Sequence, residues 1–550
     1  MKKLLVYISV FLVAVSCGKE GQDNGSGEGG GGTTTTPVTY TISGTVKGND
    51  GLALQDVVVS DGLHCVKTDS QGKYRLPADL STTRYVFVST PSGYAAPVVD
   101  GHACFWKFLK DCTKGSDGKY DIPFTLKKVS NPERYTVFIF ADPQPRKNTA
   151  GADKIAYQSL SLCEDMYRDM KELASTIKGR QVYGIGLGDI VHQDLTLLPI
   201  YRQGMATTGF STYVVIGNHD QEHKMEVEDA EASKGFEALM GPVNYSFNLG
   251  GMHYLMLDNM ISPGPGTGKY SDECITGLRE DIWEWVKNDL SFVPTTTPLM
   301  VCAHSPMCHL ETGSDRQGPF LADLRAYLAK YPRAYVWAGH SHSTYNYASS
   351  STTLESHTLS RVTGELWANE YLGANGTPRG YIVFDYDNGS VSWKFKPMYY
   401  QTGAFVGAKQ PAYEYRDWDY QNGVAMMRDS GKPLDDKYQM QVFAPGLYEP
   451  NYIYANIFMW DEQWKTPTLT VNGDVVTMKR VTTKDLQYSY SDWEIKDFYI
   501  NNNSFIKANW SLDYNNCKTM FRGFTEYAHG SGTVSVKDRF GNTHSSTITW

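Results

Sequence analysis

The sequence predicts an α/β fold in which strands covered on both faces end in polar clusters, and three observations predict it. Five apolar runs are too short for helices and show no polar alternation: Val137-Phe138-Ile139-Phe140, residues 182–187, Tyr213-Val214-Val215-Ile216, Leu299-Met300-Val301-Cys302 and Tyr335-Val336-Trp337-Ala338. This is the pattern of strands buried on both sides, although periodicity alone is also compatible with a buried helical turn. Segments with helical spacing lie between them: Met166, Met170, Leu173 and Ile177, then Ile282, Val286 and Leu290, then Phe320, Leu324 and Leu328. Each run is followed by residues that bind hard or borderline metal ions. In order these are Asp142-Pro143-Gln144, Gly188-Asp189, Gly217-Asn218-His219-Asp220, His304 and Gly339-His340-Ser341-His342. Open α/β sheets gather ligands beyond the carboxyl ends of their strands, where all five clusters fall.

The first run and its cluster supply Asp142 and Gln144, the second Asp189. Two cations about 3.5 to 4 Å apart need a bridging anion to offset their repulsion. Asp189, with two carboxylate oxygens, can bridge, which leaves Asp142 on one ion. The third cluster adds the Asn218 carbonyl, and the fourth and fifth add His304, His340 and His342. This mixed nitrogen and oxygen set suits Zn, Mn, Fe or Co better than Ca or Mg alone. A water between two such ions has its pKa lowered from about 15.7 to about 7, so hydroxide is available at neutral pH. Any one of these strings is ordinary turn punctuation. Five in order, each after an apolar run, point to a two-metal site.

This order of D-x-Q, G-D, G-N-H-D, H and G-H-x-H resembles the calcineurin-like metallophosphoesterases over roughly residues 135–400. The resemblance implies a β-sandwich core with flanking helices, within the α/β class. It implies one metal on Asp142, Gln144, Asp189 and His342, and the other on Asp189, Asn218, His304 and His340. His219 matches a non-ligand histidine that hydrogen-bonds the phosphate and protonates the leaving oxygen, so His219 and Asp189 are the expected catalytic residues. Tyr245-Ser246-Phe247, His253, Leu257-Asp258-Asn259 and residues 285–290 extend the match. Many family members carry His where this chain has Gln144. An amide is the weaker donor, which makes the first site less secure and moves it toward harder ions.

The implied reaction is dinuclear-metal-dependent hydrolysis of phosphate monoesters or diesters by metal-bound hydroxide. The alternative is a catalytically weak cell-envelope lipoprotein that binds carbohydrate or phosphorylated ligands on the same scaffold. Pocket walls are expected from residues 221–232, 262–273 and 361–379. There Trp367 and Tyr371 offer rings for a sugar or base, and Arg361 and Arg379 offer charge for a second anionic group, though ordinary loop packing is the commoner use of such residues. His64, His102, His357, His529 and His544 read as surface or packing histidines. His192 and His223 fall beside the candidate ligands but read as hydrogen-bonded loop residues.

The chain begins with Lys2 and Lys3 before an apolar stretch over residues 4–15 that ends at Ser16-Cys17. This stretch is shorter than the roughly 20 apolar residues a bilayer requires and reads as a secretory signal. The small residue before Cys17 resembles a lipoprotein cleavage site, so residues 1–17 are expected to leave a lipid-modified Cys17 that anchors the chain to a membrane. Residues 18–38 read as a flexible linker, and Lys19-Glu20 resembles a surface-export signal. The expected location is the cell envelope, at the outer membrane, facing the periplasm or the surface.

Residues 39–130 read as a β-sandwich, with Ile42-Ser43-Gly44-Thr45-Val46 and Val57-Val58-Val59 punctuated by Gly and Asp turns. They resemble carboxypeptidase-regulatory-like and transthyretin-like domains. The catalytic domain is expected over 133–402. A second β-domain follows over 405–550, with Asn472-Gly473 between alternating runs. Carbohydrate contact by these flanking domains is one reading, and covering the catalytic sheet is the other.

At 550 residues and 41% hydrophobic, the chain has material for about three cores. Its net charge of -9 argues against an extended nucleic-acid surface, and the expected substrate is a small-molecule phosphate ester. The eight cysteines after Cys17 show no C-x-x-C spacing. Cys104 with Cys112 and Cys302 with Cys308 are candidate disulfides, and buried free thiols are the alternative.

Overall fold

Strand β1 (Arg134–Phe140) shows why the apolar runs are continuous. Its Tyr135, Val137 and Ile139 point into one core, and Phe138 and Phe140 point into another. The first core lies between two sheets. The second lies under helices α1 (Lys154–Thr176) and α2 (Leu198–Ala206), which contribute Met166, Met170, Tyr201 and Met205. With both faces covered, neither can be polar. The structure is a computed structural model, and the residues described are 39–146, 154–307, 318–348, 350–364, 377–398, 439–445, 450–481 and 519–550.

The first sheet contains β1, β2 (Gln181–Leu187) and β3 (Ser211–Val215) as parallel neighbours. The second contains β4 (Tyr245–Leu249), β5 (Met252–Leu257), β6 (Leu299–Ala303), β7 (Ala334–Ala338), β8 (Tyr345–Tyr347) and β9 (Leu354–Thr358), in the order β4-β5-β6-β7-β9-β8. On the other side of β1, β10 (Gly380–Asp387) and β11 (Ser390–Pro397) extend the first sheet antiparallel. Aromatic side chains fill the space between the sheets. Tyr213 stacks on Phe247 with ring centroids 3.9 Å apart, and the Tyr254 hydroxyl donates to that of Tyr135 at 3.0 Å. The five expected runs are therefore strands of a two-sheet sandwich with flanking helices. Three lie in one sheet and two in the other, so the candidate residues approach one another from both layers.

The helical spacings fall on α1, α3 (Glu280–Leu290) and α4 (Leu321–Leu328). Ile177 lies just past the end of α1. Phe320 precedes α4 with φ 58° and packs on Trp283 rather than starting the helix.

The flanking regions are β, as expected. Residues 42–128 form a five-stranded and a four-stranded sheet. This part also joins the catalytic sheet, because Val98–Val99 and His102–Ala103 continue it beyond β3. Phe87 meets Trp285 of α3, whose indole donates to Ser60 Oγ at 3.2 Å. Toward the other end, two four-stranded sheets form from residues 440–549. Asn472 (φ 51°) and Gly473 (φ 95°) make the tight turn between Thr468–Val471 and Asp474–Thr477, where both central residues need positive φ. This part is clamped on β9 and β11. Arg539 donates to Glu355 at 2.6 and 2.7 Å and to Asp461 at 3.2 Å, and Phe540 meets Trp393 edge-on. Ion pairs this deeply buried hold only when each charge keeps its partner.

Cys104, Cys112 and Cys302 are free thiols, so the Cys104–Cys112 disulfide does not form, and Cys308 lies outside the described residues. Among the described residues no helix is long and apolar enough to cross a membrane. The leader, Cys17 and the linker lie outside them.

Candidate metal centre

The candidate residues sit where strands turn sharply into loops. Asp142 follows β1 with φ 51°, Gln144 has φ 40° and Asp189 follows β2 with φ 48°. His340 and His342 follow β7 with φ 66° and 53°. Non-glycine residues rarely occupy this left-handed region, and a cluster of them marks backbone held for a purpose other than stability. Two of the motif glycines are demanded by crowding. A Cβ on Gly217 would collide with Asp189, and one on Gly339 would collide with the Asp142 carboxylate. The small residue in G-N-H-D and in G-H-x-H is there because another segment's carboxylate occupies its side-chain space.

Beside Asp189, three donor atoms converge, and one of them reaches its carboxylate. His304 Nε2 lies 3.2 Å from Asp189 Oδ1 and 3.2 Å from Asn218 Oδ1, and His340 Nδ1 lies 3.1 Å from Asn218 Oδ1 and 3.2 Å from His304 Nε2. His304 Nδ1 contacts the Leu187 carbonyl at 2.8 Å, which can only accept. That bond keeps a proton on Nδ1 and leaves Nε2 as the nitrogen facing the other donors. Ligands about 2.0 to 2.2 Å from a tetrahedral ion are spaced by a little over 3 Å. The residues present therefore fit a cation at this position.

On the other side of Asp189, ligand atoms of Asp142, Asp189 and His342 lie within 4.8 Å of one another. His342 Nε2 is 3.6 Å from Asp142 Oδ1. The Gln144 amide nitrogen donates to Asp189 Oδ2, so Gln144 acts on the shared carboxylate. This donor set also fits a cation, with Asp189 common to both sides.

The electrostatics agree. Burial lifts the Asp142 carboxyl to about 6, with His304 and His342 pulling the other way. Burial also opposes charge on Asp189, but His304 and His219 outweigh it and hold that carboxyl far below its usual range. Burial works against charging His304 as well, and Asp189 reverses this, raising the imidazole to about 10. Two buried carboxylates facing three imidazoles create a strong demand for positive charge, which divalent cations meet directly.

His219 lies on the turn Asn218–Asp220 after β3, with its backbone N–H on Asp189 Oδ1 at 2.9 Å and its side chain 24% exposed. It is thus placed beside the donors. Asp220, fully buried, accepts from Val191 and Gly217 backbone N–H groups and ties the β2 and β3 loops together.

Residues 40–129 match the family model described as the N terminal of calcineurin-like phosphoesterase, and residues 357–544 match the one described as its C terminal. The chain is a calcineurin-like phosphoesterase. As such it is a metal-dependent hydrolase of phosphoester bonds. Similar solved structures include a dimetal phosphatase from Danio rerio, 13% identical, covering 48% of this chain and 95% of that one with a TM-score of 0.35. A purple acid phosphatase from yellow lupin (Lupinus luteus) seeds is also 13% identical, covering 62% and 67% with a TM-score of 0.34. Likenesses this distant assign nothing further. No curated protein matches the chain.

The other sequence matches have structural duties in this phosphoesterase. Asn259 exchanges hydrogen bonds with the backbone of Ser305, at 2.6 and 3.1 Å, and so pins the residue after His304. His253 is buried against Asp289 of α3 at 2.9 Å. The arginines read as anion holders are not available. Arg361 is fully buried and donates to the Asp142 carbonyl at 3.2 Å, and Arg379, 1% exposed, pairs with Asp165 at 2.8 Å. Trp367 and Tyr371 lie outside the described residues. His102 and His357 are buried packing histidines on Tyr201 and Trp337, whereas His64 and His544 pair with Asp61 and Asp538. His529 is exposed. His192 lies with its ring 4.4 Å from that of His219.

Sequence reasoning missed Asp272. Its Oδ2 lies 3.8 Å from His219 Nδ1 and accepts from Gln193, its Oδ1 lies 2.8 Å from His223 Nδ1, and its carbonyl accepts from Asn218 Nδ2 at 3.2 Å. It comes from a loop with no periodic signal and becomes visible only through contacts 49 to 79 residues away in sequence.

Gln144 provides a direct test of the first site. Gln144→His replaces an amide with imidazole, which should tighten that site and shift it toward Zn. In a chelator titration with metal add-back, the wild type is expected to lose its first ion at lower chelator concentration than the variant. Superimposable curves with two ions held by both forms would leave Gln144 a residue that acts on Asp189 and not on metal.

Proposed function

We propose that this centre holds two divalent cations, Zn, Mn, Fe or Co, and hydrolyses small phosphate monoesters or diesters. The observation that carries the reading is the convergence of the Asn218, His304 and His340 donor atoms at 3.1 to 3.2 Å from one another, with His304 also 3.2 Å from Asp189 and Asp189 grouped in turn with Asp142 and His342. Bound there, divalent cations supply Lewis acidity toward the phosphoryl oxygens and a water acidic enough to attack at neutral pH.

The protein's own groups do the rest. Asp189 holds both halves of the site in register, and Gln144 and the His219 N–H fix its two oxygens. The His219 side chain faces the same space and is placed to donate a proton to the departing oxygen. Burial works against the protonated imidazole that this role needs, and Asp189 and Asp272, which favour it, offset part of that. Asn218 is oriented by the hydrogen bond its amide nitrogen donates to the Asp272 carbonyl, which turns its oxygen toward His304 and His340.

Elemental analysis together with turnover of a chromogenic phosphate ester tests this reading. The expected result is about two ions per chain and turnover that chelation removes. A fully metal-loaded chain that turns over no phosphate ester would favour the alternative, a lipoprotein that binds carbohydrate or phosphorylated ligands on this scaffold. A substrate panel of sugar phosphates, nucleotides, phospholipid head groups and diesters would then separate monoester from diester preference.

We also propose that lipid on Cys17 anchors the enzyme at the outer membrane, with residues 18–38 as the tether, on the strength of the signal-like start of the chain. Palmitate labelling should be lost in Cys17→Ser. Undiminished labelling of that variant would remove the anchor from Cys17.

A further inference from the structure

Two loops run side by side next to the His219 turn. Residues 221–232 follow that turn, and residues 262–273 lie between β5 and α3. They are joined through their backbones: Ser271 N donates to Lys224 O at 2.9 Å and Glu226 N to Lys269 O at 3.0 Å, and Met225 pairs with Tyr270. On this ribbon the rings of His223 and Tyr270 stack, with centroids 4.3 Å apart and planes within 3°. Both stand at the surface, where Tyr270 is 40% exposed and Met225 beside it 53%.

The stack is held from below by the residue nearest to the chemistry. His223 Nδ1 lies 2.8 Å from Asp272 Oδ1, and the same carboxylate takes the Gln193 amide and faces His219 Nδ1 at 3.8 Å. A side chain only 9% exposed thus fixes the plane of an imidazole on the rim, and that imidazole backs one face of Tyr270. With one face on His223, Tyr270 still keeps 40% of its surface exposed, and Met225, its partner across the ribbon, keeps 53%. One carboxylate therefore links this aromatic platform to the leaving-group side of the site.

We propose that the outer face of Tyr270, backed by His223, is a subsite for a planar ring, aryl or nucleobase, carried by the leaving group of a phosphoester substrate. This rests on the hydrolytic reading above. A flat ring is favoured over a sugar because three polar side chains that flank the stack are already engaged: the Ser271 hydroxyl on Glu222 O, Asp272 on Gln193 and His223, and Lys224 on Glu222. What the ribbon offers is stacking surface and a polarisable sulfur, both of which suit a π system.

The test compares full-length, metal-loaded wild type with Tyr270→Ala and Tyr270→Phe on benzyl, cyclohexylmethyl, methyl and nucleoside 5′ phosphate esters. Monoesters or methyl diesters are used, whichever class is turned over. Tyr270→Ala is expected to lose about 5- to 100-fold in kcat/KM on the benzyl or the nucleoside ester, the range for one stacked ring. The methyl and cyclohexylmethyl esters should change by less than about 2-fold, and Tyr270→Phe should match wild type throughout. The planar-ring ester with the larger Tyr270 dependence identifies the source of the ring. Equal losses on all esters, a cyclohexylmethyl loss as large as the benzyl one, or no loss on either planar-ring ester would overturn the subsite. Calorimetric binding of benzylphosphonate and methylphosphonate reads the same face without turnover. Tyr270-dependent benzylphosphonate binding by a chain that hydrolyses nothing would sink the hydrolytic reading and leave the subsite standing, whereas Tyr270-independent binding would overturn the subsite alone.

Discussion

Asp189→Ala should abolish hydrolysis and lower metal content from two ions toward one or none. Asp189 is the carboxylate shared by both donor groups, with Oδ1 3.2 Å from His304 Nε2 and its other oxygen on the Gln144 amide. Without it, two cations would face each other across a gap with no anion between them, at a separation where their repulsion is severe. Asp189→Asn is the useful companion, because it preserves shape and one oxygen while removing the charge. It should fold as the wild type does and still lose metal. Elemental analysis of both variants, with circular dichroism to show that the fold is intact, is the measurement. Two retained ions and near-normal turnover in either variant would sink the assignment of Asp189 as the bridge.

The sandwich and the centre were legible to different depths, for physical reasons. Val137 and Ile139 face the other sheet while Phe138 and Phe140 face helices, and this double burial is what an unbroken apolar run records. The clusters after those runs were legible because strand ends are where a rigid sheet can present a side chain at fixed spacing. The division of the five runs between two sheets was not legible, since an apolar strand buried on both faces carries no mark of its neighbour. Nor was the left-handed backbone at Asp142, Asp189 and His340, because these side chains do not prefer it and the surrounding packing imposes it. Arg361 and Arg379 looked available to an anion because arginine is usually exposed. Their burial depends on carbonyl and carboxylate partners, Asp142 and Asp165, more than 200 residues away in sequence.

The same limit explains Asp272 and shapes what is expected of its neighbour. G-N-H-D marks His219 on a short turn, but its surroundings come from two separate loops: one places Asp189 at its backbone N–H and His192 beside its ring, and the other places Asp272 behind it. These contacts leave the His219 side chain outside the His304, Asn218 and His340 cluster, and the expectation that it is no ligand can be tested. His219→Ala should therefore keep its metal and lose about 10²- to 10⁴-fold in rate, the usual contribution of a positioned proton donor. The loss should shrink as the leaving group becomes more acidic, since an oxygen that departs easily as an anion gains little from a proton. A nitrophenyl ester should thus be the least affected substrate and a simple alkyl ester the most. Comparing metal content with that of His304→Ala completes the test, because the latter removes a donor from the converging set and should release an ion. If His219→Ala releases as much metal as His304→Ala, His219 is a ligand. If its rate deficit is the same for nitrophenyl and alkyl esters, it does not protonate the leaving oxygen.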